Sequence, residues 1–227
     1  MISTPTPRWQ AATAASVLLL ATAGAAHAQL QARDADGDGV ADAYHDATLD
    51  ITWLARADAA AGSALDDGLS SSDGLLTWAA AQAWVAGLSV AGSSGWRLPS
   101  LDSACNGNGL GYGCSNAAGE LGHQFHGNLG GQAGQPISGT HNSNFNLFSG
   151  VADVGYWSGT AYASDPDQAG VLLFAEGYQD YAFKAFGEHA AWAVHDGDVL
   201  AVPEPNAACL LLAGLLGLAW RGRPRWG

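Results

Sequence analysis

Two uncharged apolar runs bracket this chain and decide how much of its 227 residues is left to fold. Ala11 to Ala26 (AATAASVLLLATAGAA) follows Arg8 and ends at Ala26-His27-Ala28, a small-x-small site before Gln29. That layout reads as a secretory signal peptide over residues 1–28. A first transmembrane helix fits less well, because the run is Ala-rich and closes on a cleavage site. At the other end, Ala207 to Trp220 (AACLLLAGLLGLAW) follows Val202-Pro203-Glu204-Pro205 and precedes Arg221, Arg223 and Arg225. The two prolines make a stiff, extended segment that stops a helix. The apolar run would rise about 21 Å as a helix, against roughly 30 Å of hydrocarbon in a bilayer. The arginines would keep its end on the cytoplasmic side. A buried C-terminal core helix is the competing reading, opposed by the arginines and the proline directly behind the run. Setting both ends aside leaves Gln29 to Ala201, 173 residues, enough for one domain with a sizeable core.

Trimming changes the chemistry of what remains. Of eight basic residues only Arg33, Arg56, Arg97 and Lys184 stay, against twenty of the 21 carboxylates, a net charge of −16. No basic patch is left to neutralise phosphates, so nucleic acid and anionic lipid are excluded as partners, while divalent cations suit the surface. Cys209 falls in the tail, leaving Cys105 and Cys114 in CNGNGLGYGC. In an exported chain a disulfide is the default for such a pair. A zinc site would need two further ligands, and none is obvious nearby.

The Pro-Glu-Pro segment, apolar run and arginine cluster together resemble the PEP-CTERM sorting signal. The resemblance implies recognition and removal of the tail by exosortase, a membrane protease-transpeptidase. It also implies a Gram-negative envelope protein, transiently anchored in the inner membrane and then released to the cell surface or an exopolysaccharide biofilm matrix.

The body opens on an acidic segment, residues 29–46. Asp34, Asp36, Asp38 and Asp42 occupy positions 1, 3, 5 and 9 of a calcium-type loop, with Gly39 at position 6. Alternate carboxylates of this kind converge on one hard cation. Position 12 is His45 rather than the bidentate Glu of an EF-hand, with Asp46 and Asp50 as nearby substitutes. The spacing is closer to dockerin or thrombospondin-type loops than to a sensor EF-hand. It suggests weak structural calcium, with a solvated acidic linker as the alternative.

The remaining pattern, residues 47–201, predicts strand, helix, helix and an antiparallel meander, an α+β plan. Leu49 to Leu54 reads as a strand. Thr77 caps a helix over Trp78 to Leu88, with Trp78, Ala81, Val85 and Leu88 on one face. A second helix, roughly Ala117 to Leu129, carries Leu121, Phe125 and Leu129 and stops at Gly130-Gly131. Residues 131–146 read as a polar loop. Strands follow at Gly155 to Thr160, Gly170 to Phe174, Tyr178 to Phe186 and Ala190 to His195, separated by turn residues.

Several blocks fall in a recognisable order: Ile51-Thr-Trp-Leu54, Leu76-Thr-Trp-Ala-Ala-Ala-Gln82-Ala-Trp84, Gly95-Trp-Arg-Leu-Pro99, Gly119-Glu-Leu-Gly122, Tyr156-Trp-Ser-Gly-Thr160 and Ala191-Trp-Ala-Val194. They resemble the Lcl C-terminal domain family. More loosely, the body is similar to the superfold of C-type lectins and the formylglycine-generating enzyme. The likeness implies a single lectin-like domain with two helices and an antiparallel sheet, displayed at cell surfaces. One branch of the family binds sulfated polysaccharide, but that chemistry wants Arg and Lys clusters, and a body at −16 repels polyanions. The generating-enzyme chemistry uses redox-active pocket cysteines, which this chain lacks.

Among single residues, four tryptophans (Trp53, Trp78, Trp157, Trp192) fall in element patterns and are expected in the core. Trp84, off the Val85 face, is the best candidate for an exposed ligand platform. Arg97 is expected to pair a carboxylate, with ligand contact as its alternative. His123 and His126, three apart, could share a metal but lack a third ligand on that helix. No Ser/His/Asp order, Gly-x-Ser-x-Gly or His-Glu-x-x-His pattern occurs. The expected function is therefore a non-enzymatic, lectin-like surface or matrix protein. The alternatives are a calcium-dependent carbohydrate-binding adhesin and an enzyme acting on matrix polysaccharide.

Overall fold

Ile51–Leu54 is buried at every position and forms an inner strand of a four-stranded antiparallel sheet. The computed structural model describes residues 30–115, 119–187 and 189–200. The signal segment with Ala26 and Ala28, the start of the expected second helix at Ala117, and the sorting tail lie outside the described residues.

The first sheet runs β1(Leu30–Arg33), β2(Ala43–Asp46), β3(Ile51–Leu54) and β10(Val194–Asp196) in that spatial order. The segment read as an acidic lead-in thus supplies two paired strands, with Arg33 opposite Ala43 and Tyr44 opposite Trp53. Its alternation was too short, at four residues a strand, to stand out beside the Asp-rich loop it flanks.

The second sheet has six strands in the order β4(Leu75–Leu76), β9(His189–Ala190), β6(Gly155–Ala161), β7(Gln168–Leu173), β8(Tyr178–Phe183) and β5(Gly111–Tyr112). β6, β7 and β8 form the expected meander, and among the described residues of this sheet only the β6–β9 contact is parallel. The expected strand at Ala190 to His195 divides: Ala190 belongs to one sheet and Val194 to the other, with Ala191, Trp192 and Ala193 buried between them. A continuous apolar run crossing between sheets has the same sequence signature as a buried strand.

That crossing places Trp192 in an aromatic core. Its ring meets Trp53 at 5.1 Å and Phe148 at 5.1 Å, both edge to face, and Tyr156 at 5.7 Å. Its indole N–H donates to Leu54 O at 2.8 Å, so the polar end is satisfied inside the core. Trp157 does the same with Leu76 O at 2.7 Å. Burying each of these side chains contributes about 2–3 kcal/mol, so the fully buried Trp53, Trp157 and Trp192 add substantially to the core.

Helix α1(Trp78–Gly87) begins where expected, with the Thr77 hydroxyl accepting from Ala80 N. Its inward face is Ala80, Ala81, Trp84 and Val85, and Trp78 is only partly buried. The run is nearly all apolar, so periodicity carried little information about which side faces in. The second helix is much shorter than expected. Three α-helical residues, α2(Glu120–Gly122), continue as a π-type turn over His123–Asn128. Leu121, Phe125 and Leu129 are fully buried, as their spacing implied. A side chain at Gly122 would collide with the Cys114 carbonyl, so only glycine lets this turn sit against the cysteine loop. A third short helix, α3(Ile137–Thr140), interrupts the polar loop and buries Ile137.

Candidate functional site

The Asp-rich loop is the β1–β2 connection, and its carboxylates first organise their own backbone. Asp34 accepts from Gly37 N at 2.7 Å and Gly39 N at 2.8 Å, while Asp42 accepts from Ala35 N at 2.8 Å. Gly37 and Gly39 hold φ of 80° and 90°, the left-handed conformations that fold the loop back on itself. One carboxylate oxygen from each of Asp34, Asp36 and Asp42 then lies within 4.8 Å of the others. These are hard oxygen donors, and three of them fit a hard cation whose other positions would fall to carbonyls and water. Arg33 does not neutralise the cluster, because its guanidinium holds Asp198 through bonds of 2.7 and 2.6 Å. That pairing holds the Asp198 carboxyl below the ordinary carboxylate range.

Two of the expected ligands lie elsewhere. Asp38 stays outside the three-carboxylate group and caps Val40 N at 2.8 Å. Asp46 has no solvent exposure and cannot reach an exposed loop. It sits at the end of β2, where it accepts from Thr48 N at 2.8 Å and Asn128 Nδ2 at 2.7 Å, with His123 Nε2 at 3.2 Å. Burial alone would push its carboxyl up. The hydrogen bonds from His123, Asn128 and Thr48, with the nearby His123, outweigh burial and hold it below the usual range. The π-type turn brings Gln124 and Asn128 inward to complete this network, Asn128 also donating to Gln124 Oε1 at 2.8 Å. Nothing in the sequence spacing marked Gln124 and Asn128 as buried.

The two histidines of that turn point to different partners. His123 faces Asp46, whereas His126 Nδ1 contacts Gly131 O at 3.1 Å. They do not form a shared ligand set.

Trp84 is 8% exposed and belongs to the core, so it is not a surface platform. Arg97 does pair carboxylates. It makes two 2.7 Å bonds to the two oxygens of Glu120, and its Nε donates to Asp196 at 2.9 Å. These interactions raise the guanidinium pKa above its ordinary value, against the opposing effect of burial. Arg97 is thereby occupied as a structural clamp. Cys105 and Cys114 are joined by a disulfide across Cα atoms 5.7 Å apart.

One surface feature had no sequence signal. Tyr162, after β6, and Tyr181, in β8, are distant in sequence but stack with ring centroids 4.0 Å apart at 20°. They line a groove of about 400 Å³ with Ser103, Asn108, Thr160 and Ser164. The β6–β7–β8 meander and the segment around the disulfide loop, far apart in sequence, bring these residues together.

Comparison with family models, curated proteins and solved structures finds no match to this chain.

Proposed function

We propose that this chain is an exported, non-enzymatic, lectin-like protein sorted by its C-terminal tail to the cell surface or an exopolysaccharide matrix. The C-type-lectin-like reading of its α+β body belongs to this proposal. The structural observation that carries the exported part is the Cys105–Cys114 disulfide. Such bonds persist in oxidising compartments and are rare in a reducing cytosol. The terminal segments, Ala11 to Ala28 and Val202 to Arg225, agree with the same route, with an exosortase-type enzyme as processing partner. The acidic body suits a soluble matrix component that does not stick to nucleic acid or anionic lipid.

The convergence of Asp34, Asp36 and Asp42 favours a second reading, a calcium-dependent carbohydrate-binding adhesin. In that reading Ca²⁺ is structural and holds the β1–β2 loop, and extracellular millimolar calcium is enough to fill a weak site.

Cell fractionation tests the proposal. The protein is expected in the washed extracellular matrix or outer surface fraction. Recovery in the soluble cytoplasm with Cys105 and Cys114 reduced would overturn it.

A further inference from the structure

The Tyr162/Tyr181 groove is built rather than incidental. One wall is the disulfide loop with the segment leading into it, which supply Asn108 and Ser103, and the other is the β6–β7 hairpin, which supplies Thr160, Tyr162 and Ser164. The hairpin wall is braced by Tyr162 N donating to Gln168 O at 3.0 Å and by Gln168 Nε2 donating to Asp165 at 3.1 Å. The opposite wall is pinned by Gln179, which is fully buried in β8. Its amide donates to Asp102 O at 2.8 Å and Gly109 O at 2.7 Å, tying the segment before the loop and the middle of the loop to the sheet. Gly109, at φ 74°, also leaves the space the Tyr181 hydroxyl occupies, since a side chain there would strike it.

The chemistry of the lining is uniform. Among the described residues, every polar side chain in it is a hydroxyl or an amide, and no charged group takes part. Among the described residues, the hydroxyls of Ser103, Tyr162, Ser164 and Tyr181 make no hydrogen bond, while Asn108 uses only its carbonyl, toward Leu110 N. Two stacked aromatic rings edged by unpaired hydroxyls offer an apolar face to C–H groups and neutral donors and acceptors to O–H groups. The volume falls at the lower end of small-molecule sites. Burial and the nearby Tyr162 and Asp102 keep the Tyr181 phenol protonated, so it can donate.

We propose that this groove binds a neutral saccharide without a metal ion, with Tyr162 and Tyr181 as stacking platform and Ser103, Asn108 and Ser164 as hydrogen-bonding rim. The proposal rests on the lectin-like reading and names its ligand class. A carboxylate-bearing sugar is disfavoured because the groove has no cation to receive it and the body carries −16.

The test is calorimetric titration of the mature secreted protein with neutral β-glucan and mannan hexasaccharides, and with a polyuronate hexasaccharide as anionic comparison. At least one neutral hexasaccharide should bind, equally with and without EDTA. Tyr162→Ala and Tyr181→Ala should each weaken binding about tenfold or more. Ser164→Trp, on the exposed hairpin tip, should block the groove without disturbing the core. Phe186→Ala, at the separate Phe183/Phe186 aromatic pair, should leave binding unchanged. Binding only of the polyuronate, loss with EDTA, or full binding by both Tyr162→Ala and Ser164→Trp would overturn the site. So would no binding by a protein recovered from the matrix, a result that leaves the sorting proposal standing.

Discussion

Arg97 grips Glu120 through two parallel hydrogen bonds of 2.7 Å, joining the Gly-Trp-Arg-Leu-Pro block to the Gly-Glu-Leu-Gly block. Glu120 also accepts from Ser100 N at 2.7 Å, and the Arg97 backbone pairs with Val194 in both directions. One side chain therefore ties a loop, the start of α2 and β10. Arg97→Ala strands a largely buried carboxylate and should cost about 3 kcal/mol, measured by urea unfolding. Arg97→Lys should recover only part of this, because an ammonium cannot make the planar two-pronged contact.

Asp46 makes the fold acid-sensitive. Its folded-state carboxyl lies below the ordinary 3.8, so the stability it contributes is fully present above that value. It is lost as pH falls through the lower folded-state value. Asp198, held down by Arg33, acts in the same direction. Asp46→Asn should cost about 2–3 kcal/mol at pH 7. Its deficit relative to the native protein should shrink below about pH 4. Parallel pH dependence of the two proteins would refute this role.

The buried network around Asp46 also shows where the sequence stops being legible. Leu121, Phe125 and Leu129 repeat every four residues, and all three are buried. The same spacing implied a continuous α-helix with polar residues outward. The π-type turn instead puts Gln124 and Asn128 inside, beside a carboxylate some eighty residues away. A long-range hydrogen bond of that kind leaves no local periodic trace. Trp84 failed as a surface platform for a related reason: in a helix that is apolar on most sides, tertiary packing alone decides the buried face. The β6–β8 meander and the Thr77 cap were legible because turn residues and a capping hydroxyl are local signals.

The disulfide closes a short loop of sequence separation 9. Replacing Cys105 and Cys114 by Ala should lower stability by about 3 kcal/mol in the chain-entropy model. Because this loop forms one wall of the Tyr162/Tyr181 groove, thermal denaturation should show the lost stability and calorimetric titration should show weakened saccharide binding. Unchanged stability would mean that the Gln179 bonds and the β5–β8 pairing hold the loop without the disulfide.

For the Asp-rich loop, the calcium reading makes a prediction that separates Asp36 and Asp42 from Asp38. Asp36→Asn with Asp42→Asn should abolish any calcium-dependent rise in melting temperature, while Asp38→Asn should retain it. Asn keeps one side-chain oxygen for the loop's backbone bonds while removing the charge and one ligand oxygen. A calcium response that survives the double substitution, or is lost equally in all variants, would rule out the three-carboxylate site.

The most direct measurement is mass spectrometry of both termini of the protein recovered from its native cell envelope or matrix. Export and sorting predict an N-terminus at Gln29 and no peptide from Ala207 to Gly227. An intact chain from Met1 to Gly227 in the soluble cytoplasmic fraction would contradict them.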